Sequence, residues 1–132
     1  MKTQIKLLAT AIVLTLLTAC GAKKTTKTTS IYGDWELEKA ICFCPFTDET
    51  DFSTNTLSIQ PNQIKIASPE DRQFIKPTGT YDFSTENQYL KIGETTEYSY
   101  ELKDGNLIIK FLEEPELADD ELTLIYRPAS GK

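Results

Sequence analysis

Hydrophobic and polar positions fall into two patterns along this chain, and the change from one to the other divides it. From Leu7 to Leu17 the residues are predominantly apolar, behind a short positive start at Lys2 and Lys6. A run of that length is well under the ~20 residues that span a bilayer, and with the lysines it predicts a signal peptide. Ala22 to Ser30 then reads AKKTTKTTS, with no apolar period. Such a segment cannot bury enough surface to order itself and predicts a flexible tether.

Beyond Ile31 the pattern turns to period two, in which successive side chains point to opposite faces of a strand. Eight stretches carry it. Their inward candidates begin with Trp35 and Leu37, in a strand from about Gly33 to Phe43, followed by Leu57 and Ile59, Ile64 and Ile66, and Tyr81 and Phe83. Leu90 with Ile92, Tyr98 with Tyr100 and Leu102, Leu107 with Ile109 and Phe111, and Leu122 with Leu124 and Tyr126 complete the set. Gln60-Pro61-Asn62, Glu86-Asn87 and Asp104-Gly105-Asn106 are tight-turn signals that pair consecutive strands antiparallel. The expected fold class is all-β, a small antiparallel up-and-down barrel of about eight strands, with a two-sheet sandwich or an open twisted sheet as the alternatives. Closure removes the exposed sheet edges, and at that strand number the interior just fills with side chains or holds one small ligand.

The apolar run closes on Leu17-Thr18-Ala19-Cys20-Gly21, which resembles the bacterial lipobox. The resemblance implies cleavage after Ala19, a diacylglyceryl thioether on Cys20 and an acylated amine. Residues 1–19 are then a lipoprotein signal peptide, 20–30 the acylated cysteine and tether, and 31–132 the barrel domain. Each buried CH₂ contributes ~0.8 kcal/mol, so two or three acyl chains hold stably where one holds marginally. The membrane becomes a partner through this N-terminal lipid anchor. By the sorting rules of such lipoproteins, Gly21 in place of an acidic residue implies a cell-envelope location on the outer membrane, facing the periplasm.

Gly33-Asp34-Trp35 on the first strand resembles the Gly-x-Trp signature of lipocalins and lipocalin-like bacterial domains. In that family the Trp plugs the closed end and a basic residue from the last strand packs over its indole. The final strand, Leu122-Thr123-Leu124-Ile125-Tyr126-Arg127, supplies Arg127 at the corresponding place. The resemblance therefore implies a barrel-closure set of Gly33, Trp35 and Arg127, with the cation stack contributing about 0.5 to 2 kcal/mol. Strict alternation puts Tyr126 and Arg127 on opposite faces, so a bulge or twist is required for Arg127 to reach the plug.

Composition narrows the chemistry. The 132 residues hold 14 Lys and Arg against 20 Asp and Glu, a net charge of −6, and no His. Loss of Lys2 and Lys6 with the leader makes the mature chain more acidic still, and nucleic acid is excluded as a partner because a phosphate-facing groove needs positive charge. Without imidazole there is no Ser-His-Asp, Cys-His or His-metal chemistry. Asp and Glu are many, but nothing singles out two for glycoside hydrolysis. No catalytic residue and no cofactor is expected, and the chain reads as a non-enzyme.

Once Cys20 is acylated, Cys42 and Cys44 remain, in Ile41-Cys42-Phe43-Cys44-Pro45. In a regular strand, residues two apart stand about 6.6 Å apart on one face, while a disulfide needs Cβ atoms within ~3.5 to 4.5 Å. A bridge therefore demands a kink, which Pro45 and the polar loop Thr47 to Thr54 can supply, and it would be strained and easily reduced. Three readings stand: a local disulfide, a thiolate pair for Cu(I) or Zn(II), and two inert thiols. Two sulfurs fill only half a tetrahedral site, so no metal is assigned and pairing is preferred. The acidic stretch Glu113-Glu114-Pro115-Glu116 with Asp119-Asp120-Glu121 lacks the alternation and central Gly of a calcium loop, and reads as a solvated connection.

Alternation turns Tyr81, Tyr98, Tyr100 and Tyr126 inward with Phe83 and Phe111. Phenols need hydrogen-bond partners and often line a cavity with one wet end, so these six are the candidate ligand-binding residues, with an ordinary aromatic core as the plainer alternative. The expected function is an anchored envelope lipoprotein that binds a small, partly apolar, neutral or cationic ligand in its barrel. A thiol- or metal-handling protein centred on Cys42 and Cys44, and a solid barrel that binds another protein, are the rivals.

Overall fold

β1 (Gly33–Ile41), β2 (Thr56–Gln60), β3 (Gln63–Ala67), β4 (Gly79–Glu86), β5 (Tyr89–Ile92), β6 (Thr95–Lys103), β7 (Asn106–Phe111) and β8 (Thr123–Pro128) follow one another around a closed barrel. Every neighbouring pair is antiparallel, and β8 returns to β1. The computed structural model describes residues 29–111 and 122–130. The expected signal peptide, Cys20, the expected tether up to residue 28 and the acidic stretch 113–121 lie outside the described residues.

Alternation sets the wall. Leu37, Leu57, Ile59, Ile64, Ile66, Leu90, Ile92, Leu107, Ile109 and Leu124 are buried inside the barrel, while intervening residues such as Asp34, Lys65, Asp82, Lys91 and Lys110 are exposed outside. Burial of each such aliphatic side chain contributes about 1.5–3 kcal/mol, which is what fixes the register: a slip of one residue would turn the whole set to water. The hairpins agree with their sequences. Asn87 and Gln88 between β4 and β5 have φ of 48° and 67°, and Asp104 and Gly105 between β6 and β7 have 54° and 84°. Positive φ at both central residues gives the turn twist that matches two antiparallel strands.

The two ends of the barrel differ. At the end where the chain enters, the Trp35 side chain is 1 % exposed and its indole N–H donates to the Ile31 carbonyl at 2.8 Å. Ile31 is itself buried there, so the residues before β1 fold back over the plug. Gly33 makes this return possible with a φ of 137°, a backbone conformation closed to L side chains, although a Cβ would meet nothing. The opposite end carries the longer connections, 42–55 and 68–78. Phe46, Phe52 and Phe74 meet there edge-on, with ring centroids 5.4 to 5.9 Å apart, and form a lid with Ile75.

β1 ends at Ile41, short of the expected Phe43, because Cys42 and Cys44 are bridged with their Cα atoms 5.2 Å apart and the chain leaves the sheet there. A register shift between Leu37 and Lys39 also bulges β1 against β8. The backbone of Asn55 takes up the Leu37 N–H at 2.9 Å, where β2 no longer reaches.

Candidate functional site

The six expected ligand-binding residues lie in or against the barrel core, and the hydroxyls of Tyr81 and Tyr98 are committed to the fold. Tyr98 is buried, donates its hydroxyl to the Ile75 carbonyl at 3.1 Å and lays its ring 5.4 Å from that of Phe111. Half-exposed Tyr81 donates to the Pro77 carbonyl at 2.8 Å. Both bonds hold the 68–78 connection down on the rim, and Thr78 closes that connection on itself through Ser68, as acceptor from its N–H at 2.9 Å and donor to its carbonyl at 2.8 Å. Phe83 and Tyr126 are buried in the core, and Tyr100 and Phe111 pack against it from partly exposed positions. Burial, and then the neighbouring Tyr98 phenol, push the Tyr126 pKa well above its ordinary value, so the phenol is neutral.

Arg127 corrects the expected closure set. It lies on the outer face of β8, opposite Glu36, and its Nη2 is 2.5 Å from Glu36 Oε1. The β1 bulge comes after Trp35, so it shifts register beyond the plug and leaves Arg127 and Trp35 on opposite faces of the wall. Glu36 and then Glu38 raise the Arg127 pKa further. Gly33 and Trp35 close the barrel with Ile31, and the cation over the indole is absent among the described residues.

Asn55 was not singled out by sequence reasoning, yet it is 2 % exposed and joins the two long connections. Its amide Nδ2 donates to the Arg72 carbonyl at 2.7 Å, and Arg72 reaches back from its own connection to the Asp51 carbonyl oxygen at 2.5 Å. The signal was available in its parity, since positions 55, 57 and 59 all face inward. The exposed Asp51 carboxylate is held below its usual pKa by hydrogen bonds from the backbone and side chain of Ser53, with Arg72 and Arg127 adding to the effect.

What the lid leaves outside is the run Ile41-Cys42-Phe43-Cys44-Pro45. Phe43 is 98 % exposed, Ile41 is 47 % exposed, Pro45 is exposed and both cysteines are partly so. Five consecutive apolar residues on the surface depart from ordinary patterning, in which such runs are buried or serve a contact. The bridge fixes their presentation. Beside the run lies a groove of about 430 Å³, walled by Glu38, Lys39 and Ala40 of β1, by Phe46, Asp48 and Phe52 of the connection, and by Ile125 of β8. Glu49 and Asp51 stand exposed on the same connection. The apolar run, most of the groove wall and these carboxylates thus belong to the end of β1 and the one connection that follows it. Among the described residues no three His, Cys, Asp or Glu come together as metal ligands. Compared with protein-family models, curated proteins and solved structures, the chain matches none of them.

Proposed function

We propose that this chain is an envelope lipoprotein, anchored through Cys20, whose barrel is a scaffold for a protein-docking face at its loop end. The observation that carries the reading is Phe43, fully exposed at the tip of a bridged loop within an apolar run. The occupant is a cationic segment of another envelope protein that carries apolar side chains. Apolar groups of that segment meet Ile41, Phe43 and the groove, while its positive charges face Glu38, Asp48, Glu49 and Asp51; Lys39 in the groove and Arg72 and Arg127 near Asp51 are the counter-charges.

Geometry of attachment supports the same reading. The chain enters the barrel at the Trp35 end and the Phe43 loop lies beyond the other end of β1, about 25 Å along a strand of that length, so the proposed anchor and the docking face attach at opposite ends of the domain. A ligand inside the barrel is the less favoured function, because the Tyr81 and Tyr98 hydroxyls are bonded to the rim loop and aliphatic side chains line the wall's inner face.

Two measurements test this reading. Cys20→Ser is expected to release the protein from membranes and remove the lipid mass; unchanged fractionation and mass would contradict anchoring. A photocrosslinking residue placed at position 43 in intact cells is expected to give an adduct that maps to a Lys- or Arg-rich segment and that weakens with Asp48→Lys and added salt. Adducts indifferent to charge, or confined to lipid, would refute the docking face.

A further inference from the structure

We propose that the Cys42–Cys44 bridge is an exchangeable disulfide that accepts electrons from a pair of thiols on the docked protein. This rests on the docking reading and names the chemistry of its occupant. The bridge encloses a single residue, Phe43, and ties no second element to the barrel. Among the described residues, the contacts that fix the loop end lie elsewhere: the phenylalanine lid, the Asn55–Arg72 bond and the Tyr98–Ile75 bond. Opening the bridge therefore breaks none of these contacts. Both cysteines are partly exposed, as attack by an incoming thiolate requires. Phe43, held between them, brings whatever it binds to within one residue of both.

In the first step a partner thiolate attacks one bridge sulfur, forming a mixed disulfide and releasing the other cysteine as a thiolate that takes a proton from water. The partner's second thiolate then attacks its own sulfur in the mixed disulfide. A partner disulfide forms, and the remaining cysteine leaves and is protonated. Two electrons pass from the partner dithiol to the bridge, and the partner's two protons balance those taken up by Cys42 and Cys44. A low-molecular-weight disulfide restores the bridge by the same exchange in reverse, taking the two electrons and leaving as two thiols.

The test uses the full mature lipoprotein in detergent and two reduced synthetic peptides, each with two cysteines. One carries Leu and Lys flanks and the other Ser and Glu flanks. After quenching, alkylation of Cys42 and Cys44 is counted by mass spectrometry alongside loss of peptide thiols. The expected result is that the two cysteines become alkylated in step with peptide oxidation, at least tenfold faster with the Leu-Lys peptide. Phe43→Ser is expected to bring the two rates together. A bridge that stays closed while oxidised glutathione is reduced by the same peptides overturns the exchange, and it does so alone if the charge-sensitive adducts from position 43 persist. Equal rates with the two wild-type peptide reactions overturn the docking reading and with it the partner-directed proposal.

Discussion

Phe43 and Phe52 stand on the same connection between β1 and β2, and truncating each to alanine is expected to have opposite consequences. The Phe52 ring is 6 % exposed and meets Phe46 and Phe74 edge-on at 5.4 and 5.9 Å. Removing a buried Phe side chain costs about 3–5 kcal/mol, of which aromatic pairing supplies about 0.5–1.5 kcal/mol per pair. The lid sits at the rim, where the two connections can relax into the gap, so Phe52→Ala is expected at the lower end, about 3 kcal/mol. For a domain of this size that corresponds to a fall in melting temperature of about 12–20 °C. Phe43 is 98 % exposed and gives up no buried area, so Phe43→Ala is expected to change stability by no more than about 0.5 kcal/mol. Thermal unfolding of the full mature chain followed by far-UV circular dichroism, with Trp35 emission in denaturant as the second probe, measures both. A loss below about 1 kcal/mol for Phe52→Ala would mean the lid is not part of the core, and a loss above that for Phe43→Ala would mean its loop is packed.

Replacing Cys42 and Cys44 together by Ser is expected to cost about 1.6 kcal/mol from loop closure over three residues, less than the 2–5 kcal/mol typical of a native bridge in a small secreted domain; failure to fold at 37 °C would contradict this. Arg127→Ala is expected to leave Trp35 emission unshifted, since the guanidinium bonds Glu36 outside the wall; a red shift would restore the stacked arrangement. Tyr126 has a raised pKa in the folded state, so the unfolded chain ionises first as pH passes the ordinary value of 10.0. Stability is therefore full below that pH and falls above it by about 1.4 kcal/mol per pH unit for this one group. Tyr126→Phe should flatten that alkaline fall in a pH series of denaturant unfolding; an unchanged slope would place the dependence elsewhere.

Local rules made the wall of the barrel legible. Leu57 with Ile59 and Ile64 with Ile66 show their inward face by alternation alone, and Asp104-Gly105 shows its hairpin by the φ that those residue types tolerate. What alternation cannot convey is the identity of a bonding partner far along the chain. Tyr98 was placed inward correctly, but its acceptor is the Ile75 carbonyl on a separate connection, and only the folded rim shows that the phenol holds a loop down. Phe46, Phe52 and Phe74 likewise come from two connections that read as polar or irregular, so their meeting as a lid had no periodic signal. Arg127 illustrates the reverse error. The signature of Gly33 and Trp35 drew a basic residue to the plug, although the parity of Tyr126 already placed it outside, and the bulge that was needed lies too far along β1 to help. The end of β1 was overrun because alternation continues through Ile41, Phe43 and Pro45, whereas the bridge turns the chain out of the sheet.

Native mass spectrometry of the protein, extracted gently from cells with the proposed lipid anchor in place, decides whether the outside of the loop end or the inside of the barrel does the binding. The account predicts acylated chain alone and in a one-to-one complex with a second protein, the complex lost on Phe43→Ser and kept on Tyr98→Phe. A stoichiometric small molecule retained by the wild-type chain and lost on Tyr98→Trp, with no protein complex, would contradict it.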